Sequence, residues 1–282
     1  MRVSAESNEK REKISLAGDL GSGKSTVSAI LVERLCAKYY STGAIVRSIA
    51  KRRGMSVVEL NLYMETHPEI DHEIDDGVAA LADEPGRMII DSRMAWHFTK
   101  GTFKVYLSTD IETSAARIMN AGRQEEQSTS LLETVNNTRA RVESEKKRYL
   151  EQYGVNIKDL SNYALIVDTT YATPDEVADA ICEGFDAWQN DAEYRCVMVS
   201  PERLNYIDEA ADMERVTILA AILESGGEIP EVTVFERDGE FYVESGLESA
   251  IAYGFAMRTF VKCRLVEGDT QDRKYVKMRN TL

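Results

Sequence analysis

The octapeptide Gly18-Asp19-Leu20-Gly21-Ser22-Gly23-Lys24-Ser25 constrains this chain more than any other feature. It satisfies G-x-x-x-x-G-K-[ST] at every fixed position, and Thr26 follows. The run Lys13-Ile14-Ser15-Leu16-Ala17 before it is strand-like, and residues 27–35 after it carry apolar side chains at helical spacing. A strand that breaks into a glycine turn and restarts as a helix aims several backbone N–H groups, and the positive helix end, at one anion. The pattern predicts a nucleoside triphosphate site. Gly18, Gly21, Ser22 and Gly23 would wrap the phosphates with Thr26 beside them, Lys24 would reach the β/γ pair, and the Ser25 hydroxyl would ligate Mg²⁺.

The 282 residues suffice for one large domain or two ordinary ones, and 43% hydrophobic with 29% charged content suits a soluble globular protein. No apolar run approaches a membrane span and the first residues lack a signal-peptide core, so a cytoplasmic location and no membrane partner are expected. Cys36, Cys182, Cys196 and Cys263 are scattered and read as reduced thiols. His67, His72 and His97 are too few and too badly spaced for a histidine metal site, and the first two read as surface residues. A net charge of −14 argues against nucleic acid as a partner. That charge is uneven: residues 193–248 carry 14 acidic and 4 basic residues, residues 249–282 carry 3 and 7.

Residues 1–12 read as a polar lead-in, and residues 13–190 alternate strands with helices. Strands are expected at 87–91, 103–108 and 163–168, and helices at 111–120, 131–153 and from Pro174 onward. Such alternation predicts an α/β fold, a P-loop NTPase-type parallel sheet with helices on both faces. From residue 193 the texture changes to a smaller α+β domain. It has a strand near 197–199, a helix over 213–224 closed by Ser225-Gly226-Gly227, a hairpin turning at Asp238-Gly239, a short helix near 249–253 and a strand near 259–266.

Further motifs narrow the chemistry. Tyr40-Ser41-Thr42-Gly43-Ala44-Ile45-Val46-Arg47 resembles the S-T-G-x-x-x-R signature of nucleoside monophosphate kinases, and an arginine one turn past small residues offers a forked donor to a phosphate. Gly54-Met55-Ser56, Asn61, Tyr63 and Pro68-Glu69-Ile70-Asp71 follow, then Asp91-Ser92-Arg93-Met94-Ala95-Trp96, Arg117-Ile118, Arg123, residues 139–149, and Tyr153-Gly154-Val155-Asn156-Ile157. In this order over residues 13–185 they resemble cytidylate kinases of the archaeal type. The resemblance implies NMP-binding and lid segments, MgATP as co-substrate, and phosphoryl transfer to CMP or dCMP. It implies catalytic roles for Lys24, Arg93, Arg141 and Arg148, ATP contacts from Arg117 and Arg123, and acceptor contacts from Ser41, Thr42, Gly43, Arg47, Asp91 and Arg93. Two departures stand out. Asp19-Leu20 replaces the usual proline pair in the loop, and Lys146-Lys147 stand where arginines are common, which loses the planar fork.

Residues 196–267 faintly resemble the ParB/sulfiredoxin-like fold, but Ser245-Gly246-Leu247-Glu248-Ser249-Ala250 lacks that family's aspartate, histidine and arginine. An accessory or dimerisation domain is the expectation, giving a possible homodimer. Two other functional readings stay open at this level: a P-loop kinase of another nucleoside monophosphate or small metabolite, and a non-catalytic nucleotide sensor acting through residues 193–282.

Overall fold

The computed structural model describes residues 11–121, 130–207, 210–270 and 274–278. Arg123 and the segment expected to enter the lid lie outside the described residues. In the first part of the chain, β1 (Lys13–Gly18), α1 (Lys24–Leu35), β2 (Lys38–Ser41), α2 (Thr42–Arg53), α3 (Val57–Met64), α4 (Glu69–Ala80) and β3 (Met88–Asp91) come in order. They are followed by α5 (Ala95–Phe98), β4 (Thr102–Ser108), α6 (Ile111–Asn120), α7 (Leu131–Tyr153), β5 (Leu165–Asp168) and α8 (Pro174–Asn190). Strands β2, β3, β1, β4 and β5 run parallel in that spatial order. Nearly every residue of β1, β3, β4 and β5 is buried, as expected where helices cover both faces of a sheet, whereas β2 at the edge is half-exposed.

The helix boundaries follow local capping chemistry. Asp110 accepts from the Glu112 and Thr113 amides at the start of α6, Ser130 accepts from the Glu133 amide at α7, and Thr173 with Glu176 forms a full capping box at α8. Register then assembles the site. Leu16 pairs with Asp91 and Asp91 with Ser41, so the carboxyl ends of β1, β3 and β2 finish level beside the phosphate loop. Gly18 is needed where the chain leaves β1, because a Cβ there would sit 2.4 Å from the Leu107 carbonyl oxygen.

The sheet does not stop at residue 190. Strand β6 (Cys196–Val199) pairs parallel with β5 and is the sixth strand of the same array. Beyond it come β7 (Leu204–Ile207), α9 (Met213–Glu224), β8 (Val232–Arg237), β9 (Glu240–Ser245), α10 (Leu247–Phe255), β10 (Val261–Leu265) and β11 (Tyr275–Lys277). Their strands extend the array past β6 in the order β10, β8, β9, β7, β11, making eleven strands among the described residues. The hairpin turns where expected, with Asp238 at φ 53° and Gly239 at φ 83°, the two positive values of a type I′ turn. One sheet therefore runs through both stretches of the chain, and its topology changes from parallel to mixed beyond β6.

The two faces bury different clusters. One holds Leu16, Val27, Leu31, Val105, Val167 and Phe185 beneath α1 and α8. The other runs from Tyr106, Tyr163 and Ile166 straight into Val199, Leu219 and Phe241. A smaller cluster around Leu60, Met64 and Ile70 holds α2, α3 and α4 together. Among the described residues no helix is long and apolar enough to cross a membrane, and the four cysteines are free thiols, of which Cys263 alone is buried and Cys36 is exposed. His72 is exposed as expected, whereas His67 is half-buried and stacks on Tyr63 at 3.6 Å between ring centroids.

Candidate active site

A cleft of about 410 Å³ opens at the carboxyl ends of the parallel strands. The loop residues Gly21, Ser22, Gly23, Lys24, Ser25 and Thr26 form its floor. Thr42, Gly43 and Arg47 come in from the start of α2, and Asp91 and Arg93 from the end of β3. Arg117 enters from α6, and Arg141 and Arg148 from α7. Residues more than a hundred positions apart in sequence thus face one space, and five of them carry guanidinium groups.

Within the loop the Lys24 ammonium donates to the Gly18 carbonyl at 3.0 Å, the Asp19 carbonyl at 2.6 Å and the Ser22 hydroxyl at 3.3 Å. Burial, then the neighbouring Arg93 charge, lower its pKa to about 7 against the pull of Asp91, Asp19 and Glu145. A triphosphate bound beside it would favour its charged form. Gly18 does not line the cleft; its carbonyl is the shared acceptor for Lys24 and, at 3.2 Å, for Arg93.

Arg93 and Arg141 are organised by a residue that the motifs do not single out. Glu145 accepts Arg93 Nε at 2.8 Å on one oxygen and Arg141 Nε at 3.1 Å on the other, with its side chain 8% exposed. Burial alone would raise its pKa, but Arg93 and Arg141 outweigh that and hold it at about 2. The signal was available as the i, i+4 spacing of Arg141 and Glu145.

Arg148, with its side chain 3% exposed, is more buried than Arg93 or Arg141. It donates to the Asn61 carbonyl at 2.8 Å and Asn61 Oδ1 at 3.2 Å, and its Nε lies 3.1 Å from Asp71 without hydrogen-bond alignment. Through these contacts it ties α7 to α3 and α4. Arg117 donates to the Thr169 carbonyl at 2.7 Å, fixing α6 to the loop after β5.

At the opposite end Ser41 caps α2, accepting from the Ala44 amide, and donates to Asp91 Oδ2 at 3.3 Å, while Thr42 donates to the Asp91 carbonyl at 3.3 Å. Ser41 supports the site from behind and does not line the cleft. Gly43 leaves room for Arg47: a Cβ there would lie 3.3 Å from the Arg47 guanidinium. Among the described residues no cluster of three or more His, Cys, Asp or Glu could hold a metal. The oxygen donors present, the Ser25 hydroxyl and the Asp91 carboxylate, suit a hard cation that keeps several waters and phosphate oxygens, as Mg²⁺ does. Arg139 and Lys146, also on α7, face a different cleft behind the loop.

Fold and site together define a P-loop nucleotide kinase architecture. An AAA domain profile matches residues 14–150. The chain is 36% identical over 179 residues to a cytidylate kinase of Thermoplasma volcanium, covering 62% of this chain and 91% of that one. It is 39% identical over 156 residues to a cytidylate kinase of Methanothrix thermoacetophila, covering 55% and 87%. A gluconokinase structure from Sinorhizobium meliloti aligns over 64% of this chain and 95% of its own, with 13% identity and a TM-score of 0.45. The chain belongs to the cytidylate kinase family.

Proposed function

We propose that this protein transfers the γ-phosphoryl group of ATP to CMP or dCMP, giving ADP and the corresponding diphosphate. The carrying observation is that the phosphate loop with Lys24 and the α2 start with Arg47 open onto one cleft, which Arg93 and Arg141 also line. Phosphoryl transfer asks for alignment and positive charge around the migrating group, and little else. The loop amides and Lys24 hold the donor, Arg47 grips the acceptor phosphate, and Arg93 with Arg141 neutralise charge where the two meet. Mg²⁺, held by Ser25 and the phosphate oxygens with Asp91 nearby, supplies further charge neutralisation when bound.

The acceptor end of the cleft supports a polar base. Asn61, Asp71 and Arg148 line it and offer a carboxylate together with amide and guanidinium groups. Burial raises the Asp71 carboxyl despite Arg148, so hydrogen bonds from a base amino group would stabilise its ionised form. The test is a coupled ADP-release assay across all ribo- and deoxyribonucleoside monophosphates. Turnover confined to CMP and dCMP supports the proposal; ADP release with only another acceptor refutes it.

A further inference from the structure

The phosphate loop is gripped from both sides by one stretch of chain. On the cleft side, Glu145 of α7 orients Arg93, which donates to the Gly18 carbonyl at 3.2 Å. On the outer side, Lys158, just beyond the end of α7, forms an ion pair with the Asp19 carboxylate. That carboxylate also accepts the Tyr106 hydroxyl at 2.7 Å and the Thr109 amide at 3.0 Å, while Lys158 donates to the Tyr106 oxygen at 2.9 Å. The result is a closed polar triangle of Asp19, Tyr106 and Lys158 on the back of the loop.

Asp19 has a second face. Its carbonyl oxygen accepts Lys24 at 2.6 Å, the Ser22 hydroxyl at 2.8 Å and the Ser22 amide at 3.3 Å. One residue therefore links the outer anchor to the phosphate-facing lysine. The two ends of that link are one peptide unit apart, so rotation of the Asp19 backbone moves the carbonyl that seats Lys24. Neither Asp19 nor its successor Leu20 is a proline or glycine, so nothing in the covalent chain fixes this rotation. The side-chain tether does so, together with the Asp19 amide, which donates to the Leu107 carbonyl at 2.9 Å, and the Ser114 hydroxyl, which donates to the Leu20 carbonyl at 2.5 Å.

We propose that Lys158 is a positioning residue for phosphoryl transfer: through the Asp19 carboxylate it fixes the curvature of the phosphate loop and so the seat of Lys24. This rests on the kinase reading above and adds to it a residue that never touches substrate. Lys158 also borders the cleft of about 550 Å³ behind the loop, whose far wall is the β8–β9 turn with Glu236. The positioning contact thus lies where α7, the loop and the C-terminal strands meet.

The test compares Lys158→Met, Lys158→Arg, Asp19→Asn and the Lys158→Met/Asp19→Asn double variant in the full chain. Three quantities are read: the Kd of MgATP by calorimetry, the KM for MgATP and the KM for CMP. Lys158→Met is expected to raise both MgATP constants about tenfold, the loss of one charge-assisted contact, with the CMP KM within about twofold. Lys158→Arg should restore most of the affinity. Asp19→Asn should reproduce the defect, and the double variant should be no worse than the poorer single one, because both act through one contact. An unchanged MgATP Kd in Lys158→Met overturns the proposal. So do additive effects in the double variant, or equal rises in both KM values that follow a lowered Tm. If the unsubstituted chain turns over no nucleoside monophosphate, the kinase reading fails by itself, and the MgATP calorimetry still decides the role of Lys158.

Discussion

Replacing Glu145 with glutamine should separate the charge of the site from its shape. The carboxylate receives Arg93 and Arg141 on its two oxygens and is nearly buried, so glutamine keeps the volume and one acceptor but removes the charge between the two guanidinium groups. Its pKa of about 2 in the folded chain, against 4.5 for an unperturbed glutamate, corresponds to about 3 kcal/mol of stabilisation at neutral pH. The sign follows from the direction of the shift. A depressed carboxyl contributes fully above its unfolded pKa and loses that contribution as pH falls through the folded value. The stability gap between the native chain and Glu145→Gln should shrink from about 3 kcal/mol at pH 7 to about 1 kcal/mol at pH 3. Urea unfolding followed by circular dichroism at both pH values measures it. In kinetics, loss of the orienting carboxylate should lower kcat on the order of tenfold to a hundredfold. The KM for MgATP should not rise, since the two arginines gain net positive charge toward phosphate. A stability gap independent of pH, or a rise in the MgATP KM with kcat intact, would refute the reasoning.

Other outcomes follow from single residues. Because Lys24 is held near pKa 7, MgATP binding at pH 8 should take up a proton, visible by calorimetry in buffers of different ionisation enthalpy; Lys24→Met should abolish the uptake and cost a hundredfold or more in kcat. Equal uptake in that variant would assign the proton elsewhere. Arg47→Ala should raise the acceptor KM with little change in MgATP affinity, and equal effects on both substrates would remove Arg47 from the acceptor site. Asp75, 4% exposed with one oxygen unpartnered, has its pKa raised to about 7 by burial and then by Asp71. A raised acid costs stability as pH climbs from its unfolded value toward 7, so Asp75→Asn should become relatively more stable across pH 4 to 7, by at most about 4 kcal/mol. Parallel pH–stability curves for the two proteins would contradict this.

Much of this architecture is legible where it is local. Helices α6, α7 and α9 span the ranges expected for them, each opening on a side-chain cap at Asp110, Ser130 or Asp212, and the Asp238-Gly239 hairpin turns on its own dipeptide. Strand β2 was not legible. Lys38-Tyr39-Tyr40-Ser41 is short, lies at the sheet edge and is half-exposed, so it lacks the apolar run that marks β1 and β4. The cleft-facing arginines were found because their spacing repeats a known order, yet spacing could not sort those on α7. Arg141 and Arg148 reach the substrate cleft, whereas Arg139 turns to the space behind the loop. Glu145 pairs locally with Arg141, but its link to Arg93 spans 52 residues and the link of Lys158 to Asp19 spans 139, so neither link has a local signature. Such pairs exist only once the sheet has brought the strand ends together.

The C-terminal strands show why a compositional boundary need not be a mechanical one. Charge and texture change after residue 190, yet β6 continues the parallel array and covers what would otherwise be the open edge of β5. Tyr106, Tyr163 and Ile166 of the kinase part bury their apolar surface in the same cluster as Leu219, Val234 and Phe241. Two polar links reinforce the junction. Arg203, 3% exposed, lies 3.5 Å from the fully buried Asp168 at the end of β5, and Thr259 donates at 2.6 Å to Glu176, the capping carboxylate of α8. Removing one partner of this buried pair by substitution would leave an uncompensated charge at the junction. The carboxyl end of β5 also carries Thr169, the residue that holds Arg117 against the cleft. The strands that follow residue 190 therefore brace the end of β5, which carries the residue that holds Arg117.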